Sequence, residues 1–446
     1  MFENKIDKTP KVFIRTFGCQ MNFHDSEKIA GVFSEYGYEE TQNVEEAQVI
    51  IINTCSVRQK AEQKFLSELG RLKNLKAKNS ELKVLIAGCV AQQKGNALFD
   101  RFPYVDFVFG PQNIDALETW INSSLSNSAR VNNRTYLKTI PIKRVGQVRA
   151  WVEVMYGCDN FCSYCIVPYT RGRERSRPPS DILNEIKEIA AQGFKEVTLL
   201  GQNVNSYGKG LPEDIDFSDI LKMVNEVDGI HRIRFVTSHP RDLSEKLIKT
   251  LRDLPKICEH IHLPIQSGSD RILSCMNRGY TYRQYKEKID MLRSAIPDIA
   301  ITTDIIVGFP GESEEDFEDT LTALREIEYD GIFAFKYSPR PMTAAVSLSG
   351  HIDEKTKAER LSKVLNLQAD ITYKKNKALE GRTVEVLVEG VSETDRDKLT
   401  GRTRSNKIVN FYGGQKYIGD QMALAGNLVM VKILKAKQHS LYGEIL

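Results

Sequence analysis

Six of the eight cysteines in this 446-residue chain fall into two patterns that suit metal chemistry. Cys158, Cys162 and Cys165 stand within eight residues, spaced C-x3-C-x2-C in MYGCDNFCSYCIVPY (155–169). Packing does not call for such crowding. Structural zinc takes four ligands, and this is not a zinc-ribbon spacing. Close thiolate triplets also hold iron–sulfur clusters, and three cysteines on a four-iron cubane leave one iron open to a substrate.

The second pattern is dispersed. Cys19, Cys55 and Cys89 are separated by 36 and 34 residues, and each closes a run rich in Val and Ile: KVFIRTFGC, AQVIIINTC and KVLIAGC. Such runs read as strands. Helix-like stretches between them imply a parallel sheet, whose strand ends face one crevice. Buried cysteines are common in cores, but core cysteines need not recur at the same place in successive units. Shared metal ligation is the expectation. Cys258 and Cys275 have no partner at ligand spacing and read as structural.

The elements that must position these thiols fall into three segments. The first runs to about residue 125, with Asp25 or Ser26 expected to cap the helix in DSEKIAGVFSEYG. A polar linker follows at 123–149. From about Arg149 to Pro339 a βα texture repeats six times, which suits a barrel or partial barrel. Its strands are WVEVMYG, EVTLLG, RIRFVT, HIHLPI, AITTDIIVGF and GIFAFKY, with helices starting near Ser180, Ser218, Ser244, Thr281 and Ser313. After a charged helical stretch, the chain from Thr383 is β-like with Gly-rich turns, as in a small β-barrel.

Composition narrows the function classes. Cysteine is too sparse for a secreted disulfide scaffold. No apolar run approaches a membrane span and MFENKIDKTPK has no apolar leader, so a cytoplasmic protein without a membrane is expected. Net charge is only +3, so attraction to nucleic acid must come from local patches. RGRERSR (171–177) is one candidate. Arg396, Lys398, Arg402, Arg404 and Lys407, with Phe411 and Tyr412 nearby, form another, suited to phosphates and a stacked base. GFPGES (308–313) lacks the spacing of a dinucleotide fingerprint, and His239 and His262 read as satisfied strand-end histidines.

C-x3-C-x2-C with Tyr164 ahead of the last cysteine resembles the signature of radical S-adenosylmethionine (SAM) enzymes. Over nearly its full length, the chain resembles the tRNA-modifying branch of the methylthiotransferase family. The stretches that carry this are GCQMN (18–22), NTCSVR (53–58), YGCDNFCSYCIVPYTRGRERSRP (156–178), LLGQNVNSYG (199–208) and GRTRSNKIVNF (401–411). The resemblance implies an α/β protein of three parts: an N-terminal open parallel α/β sheet domain at 11–127, a central partial (β/α)6 TIM-like radical SAM barrel at 144–374, and a C-terminal small β-barrel, the TRAM domain, at 377–443. It implies two 4Fe–4S clusters, a radical one on Cys158, Cys162 and Cys165 and an auxiliary one on Cys19, Cys55 and Cys89. SAM contacts are implied at Tyr164, Gln202, Asn203, Ser238, Gln266, Val307 and Gly308. RNA contacts are expected at Arg171, Arg173, Arg175, Arg402, Arg404 and Lys407.

The implied activity is methylthiolation of C2 of N6-dimethylallyl-adenosine beside the anticodon. It uses two SAM molecules, one as methyl donor and one as radical source, with sulfur delivered at the auxiliary cluster. The implied partners are a tRNA anticodon stem-loop and a low-potential electron donor, and a monomer is expected. Two alternatives stay open: a methylthiotransferase for threonylcarbamoyl-adenosine tRNA or a ribosomal protein, and a non-catalytic iron–sulfur redox sensor that binds RNA. The relatives of the first kind carry GCPKN-like, or GCKVN and TCTVT, stretches at the first two cysteines. One departure is RPMT (340–343) where the family often has RPGT. Met342 lacks glycine's conformational freedom, so a reshaped loop is expected there.

Overall fold

The Val- and Ile-rich runs form strands in the computed structural model, which describes residues 9–56, 59–123, 128–131, 140–412 and 424–446, without the side chains of 59–62. Val57 and Arg58 of NTCSVR, and 124–127 and 132–139 of the polar linker, lie outside the described residues. The chain divides into two units, one of 1–145 with 165–173, the other of 146–164 with 174–446.

In the first unit, β1 (Lys11–Phe17), β2 (Glu39–Glu40), β3 (Val49–Thr54), β4 (Lys83–Gly88), β5 (Phe107–Phe109) and β6 (Ser128–Arg130) make an all-parallel sheet in the order β2-β1-β3-β4-β5-β6. Its central strands are mostly apolar because helices cover both faces. Phe33 and Trp120 pack on one face, Phe65, Leu69 and Leu72 on the other. β6 was not expected: it comes from the polar linker and joins as an edge strand, paired to β5 through its backbone with Ala129 packed against the core.

The first helix corrects a second expectation. It spans Gln20–Glu35 with Cys19 at its N-cap, so Asp25 and Ser26 lie inside it rather than capping it. Asn53 explains why. Its side chain donates to Asn22 O at 2.7 Å and Ser26 Oγ at 2.9 Å, pinning the first turns of the helix to β3.

In the second unit, β7 (Arg149–Glu153) precedes the short antiparallel pair β8 (Met155–Tyr156) and β9 (Arg175–Ser176). With β10 (Glu196–Leu200), β11 (Arg232–Phe235), β12 (His260–His262), β13 (Ala300–Val307) and β14 (Gly331–Lys336), it provides the six expected parallel strands. They run as two ladders, β7-β10-β11 and β12-β13-β14, joined near Ile233 O, which accepts from Cys258 N at 3.0 Å. Ser244, Thr281 and Ser313 cap their helices as expected. The other two helices also start near the expected serines, but neither serine caps: Pro179 opens one helix at its first position and Asp216 caps the next, accepting from Ser218 N and Asp219 N.

The helix Glu354–Lys377 adds Val364 and Ile371 to the barrel's core. After it, β15 (Thr383–Val391), β16 (Leu399–Thr403), β17 (Ile408–Tyr412), β18 (Leu428–Ala436) and β19 (Leu441–Ile445) close into a small barrel. Phe411 lies fully inside it and so is withdrawn as a base-stacking ring. At RPMT, Met342 takes a φ of +69°, in the region that favours glycine. No helix among the described residues is long and apolar enough to cross a membrane.

Candidate functional site

Parallel pairing sets Phe17 beside Thr54 and Thr54 beside Gly88, so Cys19, Cys55 and Cys89 all emerge at one edge of the first sheet. A Cβ on Gly18 would lie 2.7 Å from Cys55 Cβ, so the Cys19 loop approaches Cys55 in a way only glycine permits. A hydrogen bond with Cys55, and the nearby charge of Arg171, outweigh burial and bring the Cys19 thiol down to about 6. Burial pushes Cys89 up. Thr54 Oγ1 and Ser56 Oγ, on either side of Cys55, are buried with no described partner. No three His, Cys, Asp or Glu among the described residues converge on a single metal ion. A cubane seats each cysteine on its own iron, so it needs no such convergence, and orphaned hydroxyls suit its sulfides as acceptors. These residues therefore fit a cluster better than a lone ion.

Arg171, expected to contact RNA, is instead buried in the same unit. It forms a two-pronged ion pair with Asp25 at 3.3 and 2.6 Å, and its carbonyl accepts from Gln112 Nε2. With 6% exposure it cannot reach a phosphate in solvent.

The second thiol set follows β8 in the loop that returns to β9. Cys158 and Cys162 are buried and Cys165 is half-buried. Burial pushes the Cys158 thiol up to about 11, a bias that metal binding reverses by taking the thiolate. The loop is laced to the segment after the helix Asp270–Cys275. Ser163 donates to Met276 O at 3.0 Å and Cys275 O at 2.7 Å, and Asn277 Nδ2 donates to Phe161 O at 3.1 Å. Of the two cysteines read as structural, Cys258 is buried and Cys275 exposed.

Beyond the C-terminal ends of the second unit's strands lies a shell of unsatisfied groups. Both amide atoms of Gln202, Asn203 Oδ1, Ser238 Oγ and His239 Nε2 are buried with no described partner. Each such atom costs about 1–3 kcal/mol if nothing binds it. The shell is also strained: Thr237 and Gln266 have φ of +65° and +75°. A β-branched residue there is a real outlier, and strain of this kind collects at ligand sites. Four of the sequence-expected SAM positions thus share orphaned atoms or strain. Tyr164 is half-buried against a cluster that includes Phe309 and Tyr337. Val307 offers only backbone, since its side chain is fully buried in the core, and Gly308 N donates to Glu312 at 2.6 Å. Thr237 and His239 were not expected in this shell. Burial holds His239 down to about 2, hence neutral, with Nδ1 accepting from Arg241 N. No sequence signal marks a threonine with positive φ.

The expected cations of the small barrel are engaged inside the chain. Arg404 chelates Glu259 at 2.7 Å and donates to Pro255 O and Ile257 O. Lys407 meets Asp330 and Asn376 at 3.0 Å, and Arg402 meets Glu389 at 3.1 Å. From β11, Arg232 donates to Arg402 O at 2.7 Å and Arg234 to Thr403 O at 2.7 Å and Arg404 O at 2.9 Å. These contacts seat the barrel at the N-terminal starts of β11, β12 and β14, away from the strand ends that carry the orphaned shell. Arg402, Arg404 and Lys407 are corrected accordingly, from phosphate contacts to docking residues. Arg173 is exposed, and Arg175 lies 5.9 Å over the Tyr156 ring. On the barrel itself, Lys398 sits 5.0 Å from the Tyr412 ring, Lys437 sits 4.6 Å from the Tyr442 ring, and Tyr412 is 55% exposed.

Three family models match the chain in order: "Uncharacterized protein family UPF0004" over 11–110, "Radical SAM superfamily" over 152–324 and "TRAM domain" over 377–446. A tRNA-2-methylthio-N(6)-dimethylallyladenosine synthase of Thermodesulfovibrio yellowstonii is 53% identical, covering 98% of both chains. The Clostridium beijerinckii protein of the same name is 50% identical over 98% of this chain and 96% of its own. Among solved structures, the radical S-adenosylmethionine methyltransferase TsrM of Kitasatospora setae, with cobalamin and a 4Fe–4S cluster bound, aligns with a TM-score of 0.57. It covers 76% of this chain and 74% of its own at 14% identity, a likeness of fold alone.

Proposed function

The chain belongs to the tRNA-2-methylthio-N(6)-dimethylallyladenosine synthases, radical SAM methylthiotransferases, and on that premise we propose that it installs a methylthio group at C2 of N6-dimethylallyl-adenosine beside a tRNA anticodon. The observation that carries this reading is the pair of complete cysteine triplets, one following the parallel strands β1, β3 and β4 and one in the loop between β8 and β9. An aromatic C2–H has no acidic proton and no leaving group, so side-chain acids and bases cannot exchange it for sulfur. When bound, two 4Fe–4S clusters and SAM supply hydrogen abstraction by a carbon radical, a methyl group and sulfur.

The chain's own residues hold and orient. Cys158, Cys162 and Cys165 carry the radical cluster, and Cys19, Cys55 and Cys89 the auxiliary one. Gln202, Asn203, Ser238 and Gln266 hold SAM by its polar groups, their orphaned atoms and strained backbone supporting that role. Their burial excludes water from the site. Arg173 and Arg175 contact phosphates of the stem-loop, and exposed Tyr412 with Lys437 binds RNA on the barrel. The base sits in a loop already partly unstacked, so extruding it costs little. The protein works as a cytoplasmic monomer fed by a low-potential one-electron donor.

The test offers reconstituted protein three anticodon stem-loops under anaerobic conditions with SAM and dithionite. One carries dimethylallyl-adenosine, one threonylcarbamoyl-adenosine and one plain adenosine. Methylthiolation of the first alone is expected by nucleoside mass spectrometry. Formation of 5′-deoxyadenosine with modification only of the second RNA would move the substrate to the neighbouring branch. No 5′-deoxyadenosine with any of them would remove catalysis.

A further inference from the structure

Arg278 follows the helix Asp270–Cys275 and is 4% exposed. Its guanidinium donates to Pro264 O at 2.8 Å and to Tyr280 Oη at 3.0 Å. Nη1 lies 3.4 Å from both Cys162 Sγ and Tyr164 Oη. Among the described residues, four other deeply buried arginines each meet a carboxylate: Arg171 meets Asp25, Arg232 meets Glu385, Arg234 meets Glu196 and Arg360 meets Glu312. Arg278 meets none. The ionisable groups that act on it most are Tyr164, Tyr280 and Cys162, and His239 and Tyr285 also feel its charge.

A guanidinium does not give up its proton in a protein. Burying it without a counter-charge is costly, and hydrogen bonds to carbonyls and phenols satisfy its donors without cancelling its charge. Phenols are neutral near pH 7. The remaining source of negative charge is the Cys162 sulfur, once it is a thiolate holding metal.

We propose that Arg278 is a positioning residue of the radical cluster: its fixed positive charge offsets the Cys162 thiolate and raises the cluster's reduction potential, while its hydrogen bonds hold Cys162 and Tyr164 in place. The inference rests on the reading that Cys158, Cys162 and Cys165 carry that cluster. Charge and hydrogen bonds at cluster sulfurs are the protein's means of setting such potentials. In the step affected, one electron passes from an external low-potential donor to the cluster, and no bond forms or breaks. Arg171 makes the contrast. It stands near Cys19 and Cys89 and acts on both thiols, but it also has in Asp25 the carboxylate partner that Arg278 lacks.

The test is a redox titration of the full-length reconstituted protein, followed by electron paramagnetic resonance with dithionite as reductant. The radical cluster's signal is the one that changes when SAM is added. In Arg278→Gln, the reduced-to-oxidised ratio at the wild-type midpoint should fall at least about tenfold, a shift of about 59 mV for one electron. Arg278→Lys keeps the charge and should stay within about twofold of wild type by the same scale. The auxiliary signal should not move in either. A fully loaded Gln variant that titrates with wild type overturns the proposal. If the Gln variant cannot be loaded, the Lys variant decides: a wild-type midpoint supports the charge, and a loaded Lys variant shifted by tenfold or more overturns it. Retention of the SAM-responsive signal in Cys158→Ala would instead sink the ligand assignment beneath it, which keeps the two failures apart.

Discussion

At the scale of single residues, the chemistry rests on side chains kept unsatisfied or strained. Gln202 has both amide atoms buried with no described partner. Replacing a buried orphan by an apolar group of similar shape removes a desolvation penalty. Gln202→Leu should therefore leave the melting temperature of the SAM-free protein unchanged or raised. It should weaken SAM binding about tenfold, or about 1.4 kcal/mol. Calorimetry of both quantities on one sample checks this, and an unchanged SAM affinity would remove Gln202 from the site. Met342, at φ +69°, bears a backbone cost that glycine does not. Met342→Gly should stabilise the second unit by about 1 kcal/mol, read as a raised melting temperature. The six cysteines stood out as candidate ligands because thiol spacing is itself chemical information. The left-handed backbone of Thr237 was not, because strain at a strand end comes from the surrounding fold and leaves no mark on residue type.

At the scale of elements, the small barrel is held by charge pairs that depend on pH. Burial alone would raise the Glu259 carboxyl, but the hydrogen bonds and charge of Arg404 outweigh it and hold it below the usual range. For Asp330, the charges of Lys407 and Lys375 likewise overcome burial. A carboxyl depressed in the folded state stabilises it fully above the unfolded pKa of about 4, and that contribution is lost as pH falls through the folded value. Limited proteolysis should accordingly release residues 377–446 more readily below about pH 4 than at pH 7, and Glu259→Gln should show the release already at pH 7. Equal protection of that variant and wild type at pH 7 would count against the docking role. The strand runs and three of the five helix caps could be read in the sequence, since Val–Ile periodicity and Ser/Thr caps are local signals. β6 could not, because an edge strand pairs through its backbone and its polar side chains look like linker. Nor could the placing of Asp25 inside a helix, because Asn53, which pins the helix's first turns, lies in distant sequence.

At the scale of the whole molecule, three parts in fixed order carry a division of labour, and that order was plain from the motifs. Which cations face RNA was not. Composition showed a basic turn at 396–407 but not that Glu259, Asp330 and Glu389 already neutralise it. We expect the barrel's RNA contact at Tyr412 and Lys437 instead. Tyr412→Ala with Lys437→Ala should weaken stem-loop binding about tenfold and lower its salt slope by about one ion. Fluorescence anisotropy across a salt series reads both, and an unchanged slope would clear that face of RNA.

The central claim is that two thiol sets do different work on one base. The most direct measurement is an anaerobic single turnover with the dimethylallyl-adenosine stem-loop, in wild type, Cys55→Ala and Cys158→Ala, with nucleoside and 5′-deoxyadenosine read together by mass spectrometry. Wild type should give both products, Cys55→Ala only 5′-deoxyadenosine, and Cys158→Ala neither. A methylthio nucleoside from Cys55→Ala, or 5′-deoxyadenosine from Cys158→Ala, would contradict the account.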